Sequence, residues 1–398
     1  MRYVKKIATI VSLLSLAAFL GAAIASENKS DDLTAVELLG KKLFFDNNLS
    51  NPPGQACAAC HAPEVGWTGP DSFINLNGGV YPGAVPTRFG NRKPPASAYA
   101  GDSPILYKNA CNFIGGMFWD GRATGWILGD PLAEQAQGPF LNPLEQNNPN
   151  AAAVVVKVAD SKKYQKLWAE AFPGIPLDLS NVNQVYEYIA RAIAAYERSK
   201  EVSSFSSKYD YYLKNPAKYP LSPRELKGLA LFEGKAMCAN CHISRTGADG
   251  KPPLFTDFSY ENLGVPKNPM NPFYTEPEWN PAGFDWIDHG LGGFLASIGD
   301  SCADANYGKH KVPTLRNVDK RPDKLSVKAY GHNGYFKSLE QIVRFYNTRD
   351  IPGLWPPPEV SQNLNTTEVG NLGLTPEEEA DIVVFLKTLS DDFRPKDH

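Results

Sequence analysis

The chain has 398 residues, enough for two ordinary domains that each bury a core of their own. It contains 40 basic and 43 acidic residues and carries a formal net charge of −3. This balance argues against a nucleic-acid partner.

The first 25 residues have the organisation of a secretory signal. Three basic residues precede an apolar run that begins at Ile7, and Ala23 and Ala25 frame a cleavage site. An uncleaved anchor is the alternative, because the run approaches the roughly 17 residues of a thin membrane span. Its serine and glycine content and the cleavage site favour removal. The sequence therefore predicts a periplasmic protein with no membrane span after cleavage.

Residues 34–44 and 222–232 are two copies of one short sequence motif, or word, with the sequences TAVELLGKKLF and SPRELKGLALF, which align without a gap. Each begins with a capping box, Thr34 with Glu37 in the first copy and Ser222 with Glu225 in the second, so each predicts a helix. Apolar residues at helical spacing predict two more helices, at residues 181–199 and 374–389. The repetition indicates a duplicated domain, with a helix before and a helix at the end of each copy.

A second repeated word follows each of these helices, CAACH at residues 57–61 and CANCH at residues 238–242. Two cysteines three positions apart and followed by histidine form the covalent attachment signature of c-type haem, in which the imidazole becomes the proximal iron ligand. Structural disulfides are the alternative in an exported chain, and zinc is a poorer one because each word offers three ligands. We predict one haem on Cys57, Cys60 and His61, and another on Cys238, Cys241 and His242.

The two remaining cysteines are Cys111 and Cys302. In an exported protein we expect them to form a disulfide, with two buried free thiols as the alternative. The bridge would tie the two halves of the chain together.

Long stretches rich in glycine and proline separate these landmarks, for example residues 78–101 and 266–284. They show little periodicity, and we expect ordered loops wrapped on haem. The predicted fold is mainly α, with two cytochrome c-like haem domains at residues 31–200 and 201–398.

Further words make the chain resemble the dihaem bacterial cytochrome c peroxidases and their relative MauG, which oxidises residues of a partner protein. They are FWDGRA at residues 118–123, EQAQGPFLNPLE at 134–145, KVPTLRNV at 311–318 and GHNGYFKSLEQIVRFY at 331–346. The resemblance covers nearly the whole chain after the signal. It implies an oxidoreductase in which the first haem cleaves hydrogen peroxide and the second stores or passes oxidising equivalents.

The resemblance also assigns residues around the first haem. Glu145 would move the proton during peroxide cleavage, Gln135 would be its polar partner and Pro139 would shape the pocket; a surface loop is the alternative interpretation. Trp119 matches the tryptophan between the haems and would relay electrons, a role compatible with a buried core indole. No histidine occurs at residues 62–115, so this haem is five-coordinate or ligated by Met117, which we interpret as packing.

The second haem raises the question of its distal ligand. Peroxidases of the family place a methionine fourteen residues after the histidine of the GHNG word, and here Tyr346 stands fourteen residues after His332. Phenolate stabilises oxidised iron whereas thioether raises the potential, so tyrosine is the MauG-like choice. The alternative makes Tyr346 a core aromatic that shares a helix face with Ile342, and Met270 the ligand.

Two enzymatic functions and one other fit the sequence. A MauG-like enzyme would take electrons from aromatic side chains of a protein, and a cytochrome c peroxidase would take them from a small reduced cytochrome c. A non-enzymatic dihaem electron carrier is disfavoured by Gln135, Glu145 and the missing distal histidine. The resemblance further implies a calcium ion between the domains, for which the carbonyls of Val327 and Ala329 are positional candidates.

Overall fold

The structure is a computed structural model that describes residues 33–395. The predicted signal, residues 1–25, lies outside the described residues. The chain is mainly helical, and its α-helices in this range are α1 (Ala35–Phe44), α2 (Ser72–Leu76), α3 (Pro131–Leu141), α4 (Ala151–Ala159), α5 (Lys162–Ala171), α6 (Val182–Arg198), α7 (Lys208–Lys214), α8 (Pro223–Glu233), α9 (Gly290–Ser297), α10 (Leu339–Thr348) and α11 (Pro376–Leu386). Two antiparallel ribbons accompany them, β1 (Tyr107–Asn109) with β2 (Asn112–Ile114) and β3 (Tyr260–Glu261) with β4 (His310–Lys311).

The repeated helical word forms α1 and α8, and both predicted capping boxes are present. The helix α1 packs against α6, and α8 packs against α11, so each half repeats the same helix pair. The side chain of Asn181 caps α6, and Thr375 with Glu378 forms a third capping box on α11. The helices predicted from the sequence are confirmed, and so is their duplication.

A glycine at the same position of each word lets the two helices of a pair cross closely. A Cβ atom on Gly40 would overlap the carbonyl of Ala192 in α6, and one on Gly228 would overlap the carbonyl of Asp381 in α11. The close crossings bring large apolar side chains together. Each half therefore has its own apolar core built around its helix pair.

Irregular segments make up much of the remaining chain, and side-chain amides hold them in place. Asn268 Nδ2 donates to the carbonyl of Gly78 at 2.7 Å and to that of Asn333 at 2.8 Å. Asn271 Nδ2 donates to the carbonyl of Asn91 at 2.9 Å. These bonds satisfy backbone groups that no regular element pairs, and they tie the loop at 266–284 to the loop at 78–101.

The two halves are joined by a disulfide and by hydrogen bonds. Cys111 and Cys302 are bonded, with their Cα atoms 5.4 Å apart, which confirms the predicted pairing. Nearby, Tyr260 donates from its hydroxyl to the carbonyl of Gly115 at 2.6 Å. None of the helices in residues 33–395 has the length and apolar character needed to cross a bilayer.

Candidate functional site

The first cysteine word forms a tight turn. The amides of Cys60 and His61 donate to the carbonyl of Cys57 at 3.1 and 3.0 Å. His61 Nδ1 lies 3.3 Å from the carbonyl of Trp67. Burial lowers the pKa of His61 to about 4, so the imidazole is neutral, which is the form that binds a metal.

The second word repeats this arrangement. The amide of His242 donates to the carbonyl of Cys238 at 2.8 Å, and His242 Nδ1 lies 2.8 Å from the carbonyl of Phe255. Burial also lowers the pKa of His242. In both halves a backbone carbonyl of a buried aromatic residue, Trp67 or Phe255, accepts from Nδ1 and leaves the other ring nitrogen for an iron.

The thiols of both words are unpaired in the structure, against the alternative of structural disulfides. Burial raises the pKa of Cys57 and of Cys238 to about 12. No other histidine, cysteine or carboxylate of the described residues joins either word into a metal-binding cluster, so a zinc site is not supported. Two free thiols and a neutral imidazole are the groups that covalent haem attachment requires.

An apolar cavity opens beside the second word. It is lined by Cys238, Cys241 and His242 and by apolar side chains of α8, α10 and α11, among them Phe232 and Leu386. A porphyrin attached to this word would have an apolar chamber to enter, so the residues present fit the group. The groups of the first word do not line this cavity; the amides of two glutamines lie near their sulfur atoms instead.

Tyr346 lies on the wall of the same cavity, one helical turn after Ile342 on α10. The helix face that they share is therefore part of the cavity wall. Burial raises the pKa of Tyr346, so its phenol stays protonated unless a cation in the cavity favours the phenolate. Met270 is 55% exposed and does not line the cavity.

Glu145 lies just beyond the C-terminal end of α3, near the first word. Burial raises its pKa, an effect that the guanidinium of Arg122 and a hydrogen bond from Asn142 Nδ2 partly offset. The Asn142 bond measures 2.6 Å. The next residue, Gln146, places its Nε2 atom 3.6 Å from the sulfur of Cys57. A buried carboxyl with a raised pKa beside a haem attachment word is suited to proton transfer.

Gln135 and Pro139 lie one helical turn apart on α3, and both are half-buried. The carbonyl of Pro139 accepts from the amide of Gln146 at 3.0 Å, which turns the chain back after α3 and positions the neighbouring Glu145. Met117 is buried in the apolar core of the first half. Met117 also lines the cavity, so its interpretation as a packing residue stays a prediction.

Comparisons with known proteins identify the family of the chain. A family profile described as "Di-haem cytochrome c peroxidase" matches residues 34–218. The methylamine utilization protein MauG of Paracoccus denitrificans (strain Pd 1222) is 33% identical over 396 residues, which cover 96% of this chain and 95% of that protein. The cytochrome c551 peroxidase of Nitrosomonas europaea is 28% identical, with 96% of this chain and 91% of that protein covered. The chain belongs to the di-haem cytochrome c peroxidase family.

A solved structure supports the assignment. The diheme peroxidase BthA from Burkholderia thailandensis E264 matches with a TM-score of 0.73 and 31% identity, covering 90% of this chain and 86% of that one. Membership confirms the predicted helical fold and a peroxidase-type oxidoreductase, and it implies two c-type haems. The domain limits at residues 200 and 201 stay a prediction.

Within this di-haem peroxidase, Trp119 lies on the cavity wall and is 9% exposed. Its indole Nε1 donates to the carbonyl of Lys93 at 2.8 Å. Its ring meets that of His332 edge-on, with centroids 6.4 Å apart. The backbone carbonyl of Trp119 accepts from the amide of Lys311 at 2.8 Å, so the residue is fixed from both halves of the chain.

A polar cluster that the sequence analysis missed lies beside Trp119. The rings of His310 and His332 stack with centroids 3.5 Å apart at 10°, and Asp288 lies close to both. The guanidinium of Arg92 holds Asp288 through two bonds of 2.6 and 2.7 Å. A histidine nitrogen binds a metal ion in the plane of its own ring, and because the two rings are stacked, an ion in the plane of one ring lies far outside the plane of the other. The carboxylate of Asp288 is already paired with Arg92. The cluster is therefore poorly arranged for one metal ion.

Proposed function

We propose that this chain is a MauG-like enzyme that uses hydrogen peroxide to oxidise a protein partner through two c-type haems. One observation carries the proposal: Tyr346 lines the cavity of the second haem word, where cytochrome c peroxidases of the family place methionine. The rival ligand, Met270, is exposed and lies outside that cavity. A tyrosinate stabilises oxidised iron, which suits a centre that gives up electrons to peroxide rather than one that first receives them.

The bound haems supply peroxide cleavage and the storage of oxidising equivalents. The residues of the chain supply ligands and protons. His61 and His242 present neutral imidazoles whose Nδ1 atoms are held by carbonyls. Glu145, as carboxylate, takes the proton of the inner peroxide oxygen and delivers it to the outer one, while Asn142 Nδ2 orients its Oε1 atom. Trp119 lies between the halves and would relay electrons.

Cytochrome c peroxidase activity with a small cytochrome c as donor is the second candidate. The relative from Nitrosomonas europaea carries that type of name. The location of Tyr346 favours the first candidate, because a high-potential entry haem would call for a thioether ligand. A simple electron carrier is the weakest interpretation, since it has no use for a buried carboxyl near the first word.

We also propose export to the periplasm. The signal predicted at residues 1–25 and the disulfide between Cys111 and Cys302 both support it, because disulfides persist in oxidising compartments. A calcium ion held by the carbonyls of Val327 and Ala329 stays a prediction. The Val327 carbonyl accepts from Asn75 Nδ2 at 2.9 Å, so an ion would have to share that oxygen with the amide. Metal analysis of the purified protein tests it.

The test of the main proposal is the reaction of fully oxidised protein with one equivalent of peroxide, followed by optical and EPR spectroscopy. Wild type should react without prior reduction. Tyr346→Met should raise the potential of the second haem and make the reaction depend on prior one-electron reduction, whereas Met270→Leu should change neither property. If wild type shows methionine-type spectra and reacts only after half-reduction, Tyr346 is a wall residue and the cytochrome c peroxidase function takes first place.

A further inference from the structure

Two lysines flank Trp119, and both have ammonium groups without an anionic partner. Lys93 is 9% exposed, and its Nζ donates to Thr68 Oγ1 and to the carbonyl of Pro94, each at 2.8 Å. Lys311 is half-buried, and its Nζ lies 3.0 Å from the carbonyl of Gly115. Within residues 33–395 neither ammonium forms an ion pair with a carboxylate, yet both residues line the cavity.

The backbone fixes both lysines against the tryptophan. The carbonyl of Lys93 accepts from the Trp119 indole, and its amide donates to the carbonyl of His332 at 2.8 Å. The amide of Lys311 donates to the carbonyl of Trp119. The backbones of both lysines are therefore bonded to Trp119, one to its indole and the other to its carbonyl.

Burying a cation without an anion is costly. Burial lowers the pKa of Lys93 to about 8 and that of Lys311 to about 7, although the charge of Asp257, with which Lys311 forms no ion pair, partly offsets the lowering at Lys311. Other charged groups on the wall show the contrast. Arg316 is already neutralised by Asp210, and the three donors of Lys328 are all taken by backbone carbonyls. Lys93 and Lys311 each have two neutral oxygen acceptors for three ammonium donors, so each has one donor left for an anion.

A second observation points to a polar ligand in the same place. His332 Nε2 is buried without a hydrogen-bond partner, and His332 is 7% exposed and lines the cavity. His332, Lys93 and Lys311 line the same cavity, so its wall carries this ring nitrogen as well as the two ammonium groups. The cavity wall beside Trp119 therefore suits a carboxylate ligand.

We propose that Lys93 and Lys311 bind carboxylates of the two porphyrins beside Trp119. Each c-type haem brings two propionate groups, so the cofactor itself supplies the missing anions. Lys93 Nζ donates to Thr68 Oγ1, and the carbonyl of the preceding residue, Trp67, accepts from His61 Nδ1, which assigns Lys93 to the first haem. The carbonyl of Val312, the residue after Lys311, accepts from Thr256 Oγ1, and the carbonyl of the neighbouring Phe255 accepts from His242 Nδ1, which assigns Lys311 to the second. The inference rests on the proposed attachment of both haems.

The experiment compares the holoprotein with Lys93→Met and Lys311→Met variants. The control is Lys157→Met, because Lys157 is a half-buried lysine whose partners are also all neutral but which lies away from the cavity. Pyridine haemochrome titration counts the haems, spectroelectrochemical titration gives the midpoint potential of each, and resonance Raman spectra report the propionate bending bands.

A lost positive charge beside a propionate should lower the potential of that haem and shift its propionate band. Lys93→Met should therefore change the first haem and Lys311→Met the second, while Lys157→Met changes neither. Two haems per chain with potentials and bands equal to the control would overturn the lysine inference alone, whereas fewer than two haems in wild type would overturn haem attachment. If the methionine variants fail to incorporate haem, Lys93→Arg provides the second test and must keep the wild-type potential. A crystal structure of the holoprotein must also show a propionate oxygen about 2.7–2.9 Å from Lys93 Nζ. A larger separation refutes the assignment.

Discussion

Replacement of Glu145 by glutamine tests the proton-transfer step most directly. The amide has nearly the same shape and can still accept the bond from Asn142 Nδ2, which measures 2.6 Å, but it cannot take a proton at neutral pH. Loss of a positioned acid–base group typically slows a reaction about 100-fold or more. We therefore expect Glu145→Gln to retain both haems and to react with peroxide about 100-fold more slowly than wild type.

A change at the neighbouring Asn142 should shift the pH dependence of this proton transfer without removing the transfer itself. Its bond stabilises the charged form of Glu145, and a hydrogen bond to a charged group contributes about 1.5–3 kcal/mol. Asn142→Leu should thus reduce the acid dissociation constant of Glu145 by roughly 10- to 150-fold. The carboxyl accepts a proton only when ionised, so the rate falls as pH falls through its pKa, which burial already raises. The variant moves this fall to higher pH and leaves the plateau above it.

The assay is stopped-flow mixing of oxidised protein with peroxide across a pH series. Glu187→Gln is the matched control, because Glu187 forms a half-exposed ion pair with Arg191 on α6. It should follow the wild-type profile. An unchanged rate in Glu145→Gln, or an acid limb that stays in place in Asn142→Leu, would show that Glu145 does not carry the proton.

Two further changes test the fold that holds the sites. Gly228→Ala should destabilise the second half by about 1–3 kcal/mol or more, because the new Cβ would overlap the carbonyl of Asp381. Thermal melts should show no such loss for Gly90→Ala, where the atom nearest to the new Cβ lies 3.7 Å away. Non-reducing mass mapping should find the peptides of Cys111 and Cys302 linked, and replacing both with serine should cost about 2–5 kcal/mol in denaturant unfolding; recovery of both as free thiols from periplasmic protein would contradict the bridge.

Short-range patterns in the sequence predicted much of what the structure contains. The capping boxes at Thr34 and Ser222 identified the starts of α1 and α8, because a cap depends on residues three positions apart. The cysteine words indicated haem attachment because their cysteines and histidine also lie within a few consecutive positions. The disulfide followed from the cysteine count alone, since two cysteines remained in a chain expected to be exported.

The sequence could not show which distant residues the irregular loops bring together. Lys93, Trp119, His332 and Lys311 come from separate segments that carry no periodicity, and they meet only because the loops fold across both halves. The position of Tyr346 in the cavity and of Met270 outside it was equally undecided by spacing. Secondary structure follows from neighbouring residues along the chain. The chemistry of the cavity wall around Trp119 depends instead on burial, which is set by how the whole chain packs.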